Sequence, residues 1–70
     1  MNTLNIRKIK KAIYQKEGQK ILNSELAERL GVSPQQITNW TTGRNSPKLD
    51  SLLEIQKMSG LRLDEMIIRE

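Results

Sequence analysis

Gln35, Thr38, Asn39 and Thr42 fall at i, i+3, i+4 and i+7, a spacing that stacks them on one face of a helix. Their chemistry suits the flat edges of bases. Asn and Gln amides can pair bidentately with adenine N6 and N7, and a threonine methyl can touch the thymine methyl. The stripe holds no Lys or Glu, and Thr38, Asn39, Thr41 and Thr42 are poor helix formers. A helix face shaped for solubility alone would carry better ones. The spacing and residue types therefore predict a base-reading face suited to the major groove of a duplex.

Such a face needs a helix held at a fixed angle. Ser33 is the expected N-cap, Pro34 the first helical residue and Gln36 the third. Ser-x-x-Gln is a capping box, in which each end covers a free backbone N–H of the other. Val32 and Ile37 are placed to form the hydrophobic staple beside it. Before them, Leu26, Ala27 and Leu30 share the inner face of a helix from about Ser24 to Leu30, capped by Asn23 or Ser24. Gly31 makes the turn, and Ala27 is small where the two helices must pass closely. Residues 23–43 thus read as a helix-turn-helix. Trp40 lies on the Ile37 side of its helix. With one Trp, one Tyr and no Phe in the chain, no stacking platform of several rings exists, so Trp40 is expected in the core.

Phosphate contacts position a reading helix without specifying sequence. Helix N-termini attract anions through their free N–H groups and dipole, which singles out Asn23, Ser24 and Ser33. The loop after the reading helix adds Thr42, Gly43, Arg44, Asn45 and Lys48. Arg44 has a second option, bonding the last carbonyls of its own helix. With Gln36, the expected phosphate set is Asn23, Ser24, Gln36, Thr42, Gly43, Arg44, Asn45 and Lys48.

The remaining elements complete a five-helix plan. Ile6, Ile9 and Ile13 mark one face of a helix from Leu4 to Lys16. A helix from Pro47 to Ser59, started by Ser46-Pro47, offers Leu49, Leu52, Leu53, Ile55 and Met58 to the core. A short helix from Leu63 to Arg69 offers Leu63, Met66 and Ile67, with Ile68 beside that face and expected to be exposed. The four glycines each follow a predicted helix, and no strand pattern or repeat appears. The fold class is all-α, one domain over residues 1–70.

Composition limits the chemistry. Seventy residues without Cys or His can form no disulfide and no thiolate or imidazole metal site, and they lack the commonest general base. No catalytic site, metal or cofactor is expected. No signal peptide or membrane span is apparent, so a cytoplasmic location is expected. Twelve basic and eight acidic residues give a net charge of +4. Residues 1–20 hold Arg7, Lys8, Lys10, Lys11, Lys16 and Lys20 against Glu17 alone. That excess suits a polyanion and equally suits a solvated helix face.

The stretch from Ile21 to Met66 resembles the Xre-type helix-turn-helix family, with the lambda-repressor-like fold of the phage Cro and cI repressors. The resemblance rests on LAERLGVS, ITNWTTGRNSP and LDSLLEIQKMSGLRLDEM. It implies a five-helix domain that binds operator DNA, often as a symmetric dimer. By position it implies base reading by Ser33, Pro34, Gln35, Thr38 and Asn39. It implies phosphate contact by Asn23 at the start of the second helix and by Gly43 and Arg44 in the loop. The chain departs from the family pattern at five places, one of them the loop from Gln15 to Leu22, which is basic and in places apolar. Leu22 takes the usual cap position, so the second helix is expected to start a residue later. Pro34 has no N–H and no polar side chain, which limits it to packing on a thymine methyl. Thr41 replaces a frequent Glu, and Arg62 a usual cap.

The function expected is that of a sequence-specific regulator of double-stranded DNA, a small Cro-like repressor acting on a palindromic operator. With no further segment in the sequence, dimer contacts are expected from Leu61, Leu63, Met66, Ile67 and Ile68, which would equally serve to close the core. The alternatives are an antitoxin or anti-repressor that uses the scaffold to hold a protein, with an apolar patch near Ile67 and Ile68, or a DNA-binding excision factor.

Overall fold

The computed structural model describes residues 2–69; Met1 and Glu70, the ends of the expected domain, lie outside them. The chain runs β1 (Asn2–Leu4), α1 (Ile6–Glu17), α2 (Asn23–Leu30), α3 (Pro34–Thr42), α4 (Leu49–Ser59), α5 (Leu63–Met66) and β2 (Ile67–Arg69). The five expected helices are present. A small sheet joins them, in which β1 and β2 pair antiparallel with Leu4 opposite Ile67 and Thr3 opposite Ile68. Among the described residues no helix is long and apolar enough to cross a membrane.

The core is built from every helix and from β1. Leu4, Ile9, Ile13, Ile21, Leu26, Ala27, Ile37, Trp40, Ile55 and Met66 are buried. Ile6, Leu30, Val32, Leu52, Met58, Leu61 and Ile67 pack on this cluster from its edge. Trp40, the bulkiest member, is 1% exposed, so α3 is anchored through it as the sequence predicted. A side chain of this size supplies a large share of a small core.

Several boundaries move from the sequence expectation. Leu4 belongs to β1, and α1 begins at Ile6, where Asn5 caps it by accepting from the Lys8 N–H at 3.3 Å. The last helix stops at Met66 instead of Arg69. Ile67 and Ile68 are β-branched, which favours extended backbone, and pairing with β1 satisfies their backbone groups there. The Asn5 N–H, donating to the Met66 carbonyl at 2.7 Å, closes this junction.

Helix α4 begins at Leu49, with Lys48 at its cap position, so Ser46-Pro47 lies in the approach to the helix and does not start it. Its inner face is also rotated from the expected one. Ser51, Ile55 and Ser59 point inward, while Leu49 and Leu53 are 64% and 43% exposed. The apolar residues of this helix spread over more than one face, so periodicity alone allows two phases. Helix α4 packs on α1 and α2, and the face it buries carries two small serines. The Ser59 hydroxyl is satisfied by donating to the Ile55 carbonyl at 2.7 Å.

One tertiary link has no local signature. Arg29 of α2 grips Glu17 at the end of α1 with two nitrogens, at 2.7 and 2.9 Å. The hydrogen bond from Arg29 holds the Glu17 carboxyl below the usual carboxylate range. The pair ties the first helix of the helix-turn-helix to α1 across the loop at 18–22.

Candidate nucleic-acid interface

The turn between α2 and α3 follows from sequence. Gly31 adopts φ 70, a left-handed conformation that side-chain-bearing residues avoid, and its N–H caps α2. The Val32 N–H then donates to the Ala27 carbonyl at 2.9 Å, which fixes the exit of the chain. Ser33 caps α3, its hydroxyl accepting from the Gln36 N–H at 3.2 Å. Half of the expected capping box is therefore formed; among the described residues no return bond runs from the Gln36 side chain. Ile37 is buried in the core, and Val32 packs against the same cluster.

With Ile37 and Trp40 buried, the opposite side of α3 faces outward. Gln35, Thr38, Asn39, Thr42, Gly43 and Arg44 line one shallow depression of about 360 Å³. It unites three of the expected base-reading residues with three of the expected phosphate-contacting ones. Ser33 and Pro34 are exposed at the leading end of the same helix, and Gln36 is half-buried. Asn45 and Lys48 are exposed in or beside the loop that follows.

Hydrogen bonds within α3 define what this face offers. Gln35 Nε2 donates to Asn39 Oδ1 at 3.1 Å. The two amides are thereby joined, leaving the Gln35 carbonyl as acceptor and the Asn39 NH₂ as donor. Adenine presents the complementary set, N6–H₂ as donor and N7 as acceptor. Thr38 donates its hydroxyl to the Pro34 carbonyl at 3.3 Å, and Thr42 donates to the carbonyls of Thr38 and Asn39 at 3.1 and 3.3 Å. Their hydroxyl protons are committed to the backbone, so their methyls and oxygen lone pairs remain for a ligand. Thr41, standing where a family carboxylate is frequent, donates to the Ile37 carbonyl at 2.9 Å.

The loop after α3 is held by backbone bonds. The Asn39 carbonyl accepts from Gly43, from Arg44 at 2.9 Å and from Asn45 at 3.3 Å. The Asn39 carbonyl is thus served by main-chain donors, and among the described residues the Arg44 guanidinium bonds no carbonyl at this end. Arg44 also joins no ion pair among the described residues and stands in solvent at the rim of the depression.

The start of α2 differs from both cap assignments. Leu22 occupies the cap position with no side-chain bond, and the helix begins at Asn23 instead of a residue later. Asn23 is half-buried, and its Oδ1 is enclosed without a hydrogen-bond partner. Ser24 is exposed beside it. At the far end of the chain, Arg62 likewise takes the cap position of α5 without capping it and instead meets Glu65 at 3.3 Å.

Among the described residues no cluster of His, Cys, Asp or Glu is arranged to hold a metal ion. The sequence model of the helix-turn-helix family matches residues 14–66. No curated protein and no solved structure matches the chain.

Proposed function

The chain belongs to the Xre-type helix-turn-helix family of DNA-binding transcription regulators, and on that premise we propose that it is a small Cro-like repressor reading a palindromic operator. Residues 1–70 act as one cytoplasmic domain. The observation that carries the reading is the shared depression on α3, where Gln35, Thr38, Asn39 and Thr42 adjoin the unpaired Arg44.

In this reading α3 lies in the major groove. Gln35 and Asn39 present one acceptor and one donor to an adenine edge, and Thr38 turns its methyl toward thymine. Ser33 and Pro34 touch bases only at the groove entrance, Pro34 by packing. The phosphate set comprises Asn23, Ser24, Gln36, Thr42, Gly43, Arg44, Asn45 and Lys48. Arg44 and Lys48 neutralise charge, and the N–H groups at the starts of α2 and α3 add dipole attraction.

Two copies would bind half-sites about one helical turn apart. Of the residues expected to form the dimer contact, Met66 is buried and Leu61 and Ile67 pack on the core. Leu63 and Ile68 remain exposed and are the ones free to meet a second copy. The antitoxin or anti-repressor alternative asked for an apolar patch at Ile67 and Ile68. Ile67 is engaged in closing the core, which leaves that alternative weaker at this place.

Selection of random duplex DNA by the full chain tests the proposal. The expected result is a defined motif with two inverted half-sites containing A·T pairs. Recovery of unselected sequence would contradict base reading, and a single half-site would contradict the dimer.

A further inference from the structure

A second hollow, of about 410 Å³, lies between α1 and the start of α2, lined by Lys10, Lys11, Tyr14, Lys20, Ile21 and Leu22. Tyr14 is 48% exposed and Leu22 62% exposed, although both are large and apolar-bodied. Exposed apolar surface rimmed by polar groups marks an interaction site more often than chance. Here the rim is entirely cationic. Lys10, Lys11 and Lys20 join no ion pair among the described residues, whereas Lys8, Arg29, Lys57 and Arg62 each face a carboxylate.

We infer that this hollow docks an acidic segment of a partner protein carrying a large apolar side chain. The apolar side chain seats against Tyr14 and Leu22. Carboxylates of the segment meet the three lysines. Charge complementarity selects an acidic partner. The apolar floor selects a protein over a nucleic acid, because a phosphate backbone satisfies the lysines yet leaves Tyr14 and Leu22 uncovered. The inference goes beyond the DNA reading and does not depend on it.

Random short peptides displayed in a library and selected against the full chain provide the test. The expected winners are rich in Asp and Glu and carry Leu, Phe or Trp. Their affinity falls by about tenfold or more when Lys10→Glu is combined with Lys20→Glu, and also in Leu22→Ser, which supplies α2 with a side-chain cap and so does not lower thermal stability. Lys10→Arg with Lys20→Arg retains binding. Three results would overturn the inference: no enrichment, winners without acidic residues, or winners indifferent to these substitutions. If the charge reversals cut affinity for duplex DNA while peptides stay bound, the lysines are phosphate contacts and the hollow is no protein site.

Discussion

At Asn23 the interests of folding and binding diverge. Its Oδ1 is buried without a partner. An enclosed, unsatisfied polar atom costs roughly 1–3 kcal/mol. Alanine would remove it and is the better helix former. Asn23→Ala should therefore hold or raise thermal stability while weakening binding to all duplexes alike, since a phosphate contact carries no sequence information. Melting curves and titrations on two unrelated duplexes check both halves. A destabilised variant with unaltered affinity would show that the side chain serves the fold. Trp40 presents the opposite case. Its Nε1 is also enclosed without a partner, but the ring fills the centre of the core, so the orphaned donor is tolerated for the area the ring buries.

At the scale of elements, the angle of α3 rests on its first turn. Ser33→Ala removes the bond to the Gln36 N–H and should cost about 0.5–2 kcal/mol, measured by denaturant unfolding. The absence of a return bond from Gln36 makes Gln36→Ala the milder change, and a Gln36 effect equal to that of Ser33 would contradict the half-formed box. The link between α1 and α2 adds a pH dependence. Because the folded state holds the Glu17 carboxyl below its usual value, the pair stabilises above the usual glutamate range and is lost as pH falls through the depressed value. Glu17→Gln should flatten the acid side of a stability profile, and an unchanged profile would show the pair to be inert. These two cases also show what sequence can carry. The helix-turn-helix at 23–43 was readable because its signals are local: Gly31, Ser33-Pro34, and apolar residues at helical spacing. The link from Glu17 to Arg29 and the pairing of Leu4 with Ile67 join distant segments, which no local period announces. The face of α4 was ambiguous because Leu49 and Leu53 match the period as well as Ser51 and Ser59 do. On α3 the outward placement of Gln35, Thr38, Asn39 and Thr42 followed from spacing, but the bond joining Gln35 to Asn39 depends on rotamers and did not.

The whole molecule combines a polar outward face on α3 with a basic background. Net charge is +4, and Arg44 and Lys48 have no acidic partner among the described residues. Affinity should fall with salt, by about 0.9 log unit per log unit of salt for each phosphate neutralised. Arg44→Ala should flatten that slope by roughly one unit and weaken all sequences alike. Leu49, Leu53, Leu63 and Ile68 leave the same molecule apolar side chains exposed to solvent. The central claim is that α3 reads bases through its joined amides. Its most direct test is a double-mutant cycle of Gln35→Ala and Asn39→Ala, titrated against the selected operator and a series of single-base changes. The account predicts that each variant loses about 1–3 kcal/mol of discrimination at the same base pair, and that the pair together loses clearly less than the sum. Unchanged base preference in both variants would contradict it.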